Sequence, residues 1–92
     1  MSAPVTRQLE IVNVKGLHAR ASAKFVDVVE RFNAQAEVEK DGLSVAGDSI
    51  MGLLMLTAPR GSTIRVTTSG PEAAALADAL EALVADYFGE GM

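Results

Sequence analysis

No cysteine occurs in the 92 residues. That excludes disulfides, thiolate catalysis and cysteine-held zinc or iron–sulfur sites. A single histidine, His18, excludes a multi-histidine metal centre within one chain, so no metal is expected. Tryptophan is absent and aromatics are 4% of a composition that is 49% hydrophobic. The core must be aliphatic, and a sheet carrying helices is the expected arrangement. Positive charge is also short: Lys and Arg number 8 against 12 Asp and Glu, a net charge of −4. General binding to nucleic acid or to anionic membranes is disfavoured. The N-terminus has no long apolar run, so neither a signal peptide nor membrane insertion is expected, and a cytoplasmic protein is the default expectation. The length suits one domain, 1–92.

What is present reads as alternating short elements. Leu9–Val14 is rich in β-branched residues and is expected as a strand, broken at Lys15-Gly16. From Ala19 to Phe32 the period changes. Phe25, Val28, Val29 and Phe32 predict one apolar helix stripe, with Arg20, Lys24, Asp27 and Arg31 on another face. The stretch AEVEKDGLSVAG reads as a hairpin turning at Asp41-Gly42, a pair suited to positive φ. Asp48 or Ser49 can cap a short helix over IMGLLML. Ala58–Ser62 is a turn, and TIRVTTS alternates like a half-buried strand. Gly70-Pro71-Glu72 opens a last helix, with proline at its first position. Leu76, Ala79, Leu80, Leu83, Val84 and Tyr87 form its stripe, and Gly89 stops it. The order β-α-β-β-α-β-α predicts an α+β fold: a four-stranded, mostly antiparallel sheet covered on one face by three helices.

His18 falls where the first strand gives way to a helix. A helix N-terminus offers unpaired N–H groups and the positive end of a dipole, which suits an anion. Small residues at Ala19, Ala21 and Ser22 allow close approach, and Arg20 can fork onto phosphate oxygens. No acidic residue lies between Ile11 and Val26, whereas Lys15, Arg20 and Lys24 are basic. The sequence therefore predicts a positive patch around the histidine. Neutral imidazole is a nucleophile near neutral pH, so phosphoryl transfer through His18 is the chemistry this pattern suits. A surface or capping histidine is the plain alternative, and an α+β domain with a small-molecule pocket on its open sheet face is another.

The stretch GLHARASAKFV resembles the active-site segment of the HPr family, the histidine-containing phosphocarriers of the bacterial phosphotransferase system. Gly16, Leu17, His18 and Arg20 match its Gly-φ-His-x-Arg-Pro-Ala pattern, where φ is apolar. GDSIMGLLML is similar to that family's regulatory-serine segment. The resemblance implies an open-faced β-sandwich. It further implies that His18 accepts a phosphoryl group from phosphorylated Enzyme I and passes it to a IIA-type acceptor. Arg20 would stabilise the phosphohistidine. No cofactor is implied, because the donor brings the activated group. A monomer serving either sugar transport or nitrogen regulation is implied, as a relay member and not a classical enzyme; a regulatory binding module read by partners is the alternative. Two departures stand out: Ala21 replaces the family's usual proline, and Asp48 occupies a position that is often lysine.

Ser49 has a structural reading as an N-cap and, by resemblance, a regulatory one as the target of an HPr kinase/phosphorylase. The short helix that follows is apolar nearly all round. Ile50, Leu53 and Leu54 can share one face, with Met51 and Met55 toward another. An exposed patch of this kind marks a partner site. The expected docking surface is Ile50, Met51, Leu54 and Met55, joined by Ala19, Arg20, Ala23 and Lys24, whose basic rim would steer acidic partner faces.

Overall fold

A computed structural model describes residues 3–92 of the chain. Its elements follow the expected order: β1 (Val5–Glu10), α1 (Ala19–Glu30), β2 (Gln35–Lys40), β3 (Leu43–Ala46), α2 (Ile50–Met55), β4 (Thr63–Ser69), α3 (Ala73–Ala85) and a short 3-10 turn at Tyr87–Gly89. All strand pairs are antiparallel, in the order β1-β4-β2-β3. Alternation decides which face is dry. Leu9, Ile64, Val66, Thr68 and Val38 point inward and are buried, and Leu9 faces Ile64 while Val38 faces Val66 across the ladders. The three helices lie on that face, with α3 against β1 and β4, and α1 against both α2 and α3. The opposite face carries Gln8, Glu37, Glu39 and Arg65, with an Arg65–Glu39 ion pair between neighbouring strands. The depression there, lined by Gln8, Glu39, Thr63 and Arg65, is about 210 Å³. That is below the roughly 300 Å³ from which ligand pockets usually start.

Four expectations are corrected. The first strand is Val5–Glu10, not Leu9–Val14. Its inward positions are Val5, Arg7 and Leu9, and the central arginine hides the alternation. Arg7 reaches across to α3, where it pairs with Asp78 at 3.0 Å and Glu81 at 2.6 Å. The apolar run Ile11–Val14 instead leaves the ladder for a turn in which Gly16 N–H bonds the Asn13 carbonyl at 3.2 Å.

In α1 the dry stripe is Ala21, Ser22, Phe25, Val26 and Val29, while Val28 and Phe32 are only half-buried. α1 packs against both α2 and α3. Pro71 precedes α3 without joining it, and Glu72 takes the cap position. The Glu72 carboxylate accepts from the Asn33 N–H at 2.6 Å, and its own N–H donates to the Asn33 carbonyl at 3.1 Å. At the far end Tyr87 is exposed and Phe88 is fully buried in its place. The backbone turns left-handed after Asp86, which rotates the stripe by one residue.

Asp48 is exposed, and Ser49 alone caps α2: its Oγ accepts from the Gly52 N–H at 3.0 Å. A six-residue helix depends strongly on its ends. Ser49→Ala should cost about 1 kcal/mol. Urea unfolding checks this; an unchanged midpoint would show that the cap contributes nothing.

Candidate functional site

Gly16 sets the approach to the site. It has φ of 67°, and a Cβ there would sit 2.5 Å from the Ala58 carbonyl oxygen and 2.9 Å from Pro59 Cα. Glycine is required both by conformation and by contact. Leu17 N–H then bonds the Ala58 carbonyl at 2.9 Å, which pins the residue before the histidine. His18 is the N-cap of α1, with extended backbone, and its side chain makes no bond back to the helix. The first-turn N–H groups of Ala19, Arg20 and Ala21 precede the first intrahelical bond, from Ser22 N–H to the His18 carbonyl at 2.8 Å. Ala21 is fully buried at the third helical position, so alanine in place of proline leaves the helix start intact.

The ring turns to Glu90, 72 residues along the chain, and Nε2 bonds its Oε2. Both side chains are largely covered, at 25% and 12% exposure. Among the described residues no hydrogen bond engages Nδ1. Glu90 is held in turn by Asn13, whose Nδ2 donates to Glu90 Oε1 at 2.9 Å and to the Gly16 carbonyl at 2.8 Å. Desolvation pushes the Glu90 carboxyl up. The bonds from Asn13 and His18, with the charges of His18 and Lys24, outweigh it and hold the carboxyl below its usual range.

The turn that carries Glu90 is strained. Tyr87, Phe88 and Gly89 have φ of 58°, 52° and 74°, three successive left-handed residues of which only one is glycine. Phe88 is fully buried, and Lys24 Nζ donates to its carbonyl at 2.7 Å. Between this turn and α1 opens a cleft of about 400 Å³, lined by Lys15, Arg20, Lys24 and Glu90 among others.

The three expected cations line the cleft, and a carboxylate that the local sequence does not signal joins them. No local pattern near His18 signals Glu90 or Asn13, because the contact is made by chain return. The other sequence-predicted residues lie as follows. Ala19, Arg20 and Ala23 are exposed on α1, and Lys24 is half-buried. On α2, Met51 and Met55 are 71% and 63% exposed, Ile50 is also exposed, Leu54 is half-buried and only Leu53 is dry. Ile50, Leu53 and Leu54 thus do not share one buried face. Ser49 is half-buried at the start of the same helix.

Residues 5–86 match the family model described as the PTS HPr component phosphorylation site. This chain belongs to the HPr family. It is 46% identical over 85 residues to the phosphocarrier protein HPr of Cupriavidus necator, covering 92% of this chain and 96% of that protein. It is 45% identical over 85 residues to the phosphocarrier protein HPr of Neisseria meningitidis serogroup A, with the same coverage. Among solved structures, HPr-C-His from Thermoanaerobacter tengcongensis superposes with a TM-score of 0.91 at 35% identity, over 96% of this chain and 99% of that one. HPr is thus the family of both the sequence and the fold: an open, four-stranded antiparallel sheet with three helices. Membership places the chain in the phosphocarrier family of the phosphotransferase system. Among the described residues no helix is long and apolar enough to cross a membrane.

Glu90 gives the site an acid dependence. Its folded value lies below the ordinary 4.5. The stability it contributes is therefore present above 4.5 and is lost as pH falls through the lowered folded value. Urea unfolding between about pH 3 and 6 should show stability falling on acidification. That fall should be shallower in Glu90→Gln, and parallel curves would contradict the assignment.

Proposed function

We propose that this chain is a phosphocarrier that accepts a phosphoryl group on His18 from phosphorylated Enzyme I and passes it to a IIA-type acceptor protein. The observation that carries this reading is the state of the ring: Nε2 is engaged by Glu90, no hydrogen bond among the described residues engages Nδ1, and His18 itself is the N-cap of α1. Against a carboxylate, Nε2 is the N–H donor. The lone pair of the neutral ring then resides on Nδ1, which is the attacking atom. The phosphoryl group arrives already activated, so the chain has only to position it and to hold its charge. The N–H groups of Ala19, Arg20 and Ala21 supply fixed dipoles. Arg20 is exposed on the rim of the cleft and supplies a mobile guanidinium fork.

In this reading α1 and α2 form one docking face. Met51 and Met55 present a pliable apolar patch, a composition that suits successive partners of different shape. Ile50 and Leu54 extend that patch, and Ala19, Arg20, Ala23 and Lys24 form its basic side. Ser49 is a regulatory mark written by an HPr kinase/phosphorylase. A phosphate on its Oγ would add charge at the start of α2 beside Asp48, and would alter docking without a need to unfold the helix. The carrier works as a single domain, a monomer in the cytoplasm.

Purified protein incubated with Enzyme I and phosphoenolpyruvate should gain one acid-labile phosphate by intact mass. His18→Ala should gain none while keeping the circular dichroism of the parent. Full phosphorylation of the His18→Ala protein would refute the assignment.

A further inference from the structure

We propose that Glu90 is the positioning residue of this relay: held by Asn13, its carboxylate keeps a proton on Nε2 of His18 while Nδ1 gains and then loses the phosphoryl group. The inference rests on the phosphocarrier reading above, and it concerns a residue beyond the matched segment 5–86.

The geometry leaves Glu90 little freedom. One carboxylate oxygen meets Nε2, and the other meets Asn13 Nδ2. Asn13 is fully buried, and both oxygens facing its Nδ2 are acceptors, so the orientation of the amide is fixed. Its own Oδ1 is buried without a partner. An orphaned buried acceptor is costly, and simple packing would favour an apolar residue there. Asn13 is explained by the carboxylate it holds. The chain end is tied down on both sides of Glu90, by Lys24 to the Phe88 carbonyl and by Val14 N–H to the Met92 carbonyl at 3.2 Å. The charges facing the pair are Lys24 and Arg20 from α1 and Lys15 from the loop before it. The bonds from Asn13 and His18, with the charges of His18 and Lys24, keep the carboxylate ionised, and the three cations lining the cleft offset its repulsion toward an incoming phosphate.

The proton on Nε2 matters in both directions. On arrival, the Nδ1 lone pair forms the N–P bond, and the bond from phosphorus to the donor breaks with its electron pair left on the donor. The ring acquires positive charge, which the adjacent carboxylate compensates. On departure, the acceptor's lone pair bonds phosphorus and the N–P pair returns to Nδ1. With Nε2 still protonated, the ring leaves as neutral imidazole. Without that proton it would have to leave as an imidazolate, a far poorer leaving group. No proton is exchanged at Nε2 in either step.

Glu90→Gln preserves shape and removes the charge. In the unphosphorylated parent, 15N NMR should show a His18 Nε2–H signal protected from exchange, and the variant should lose it. The phosphorylated forms should differ in hydrolysis. At about pH 8 the variant should release phosphate at least about tenfold more slowly, the scale on which an adjacent opposite charge acts. The rates should converge near about pH 5, where solvent protonates an imidazole. Slowing that is equal at every pH, or no slowing at all, would overturn the proposal. If the parent takes no phosphate from Enzyme I, the phosphocarrier reading fails. The Nε2–H signal then decides the role of Glu90 alone, and its absence from the parent would overturn it.

Discussion

The last turn of the chain closes over the first turn of α1, and the ring geometry depends on that closure. Burial of Phe88 holds it shut. Two non-glycine residues in left-handed conformation cost about 1–2 kcal/mol each. A buried phenylalanine is worth about 3–5 kcal/mol against alanine, and a hydrogen bond from a charged group such as Lys24 adds about 1.5–3 kcal/mol. Packing wins over backbone strain, and the product of that balance is the position of Glu90. The carboxylate reaches His18 because a core side chain two residues earlier has nowhere else to go.

The sheet serves this arrangement as a platform. Its dry face holds α1 and α3 in mutual contact, so the start of one helix and the exit of the other lie side by side. Gly16, packed onto Ala58 and Pro59, brings the chain from the sheet edge to the cap of α1 without a side chain in the way. The result is a ring at the cap of α1 with Nε2 engaged by Glu90. Exposed methionines lie on α2, the helix packed against α1. Under the proposed function, chemistry and recognition would occupy neighbouring helices.

Much of this was legible in the sequence because it is local. The Asp41-Gly42 hairpin, the alternation of Ile64 and Val66 with polar residues, and the Gly16–Arg20 motif each fit within a few residues. The failures have physical causes of equal clarity. Arg7 sits at an inward strand position and is satisfied by Asp78 and Glu81 of α3, so β1 shows no apolar alternation. Phe88 replaces Tyr87 in the core because the backbone changes hand after Asp86, which no helical period anticipates. Glu90 meets both His18 and Asn13 through tertiary contact across the whole chain, and a reading of local charge finds only the three cations. The exposed apolar patch on α2 was visible as surplus apolar residues on a short helix, although which of them would be dry depended on how α1 packs.

The central claim is that His18 carries phosphate on the nitrogen that Glu90 leaves free. The most direct measurement is a 15N–31P NMR correlation on protein labelled at histidine and phosphorylated with Enzyme I and phosphoenolpyruvate. The account predicts coupling of phosphorus to Nδ1. Coupling to Nε2, or a phosphate that is not on His18, would contradict it.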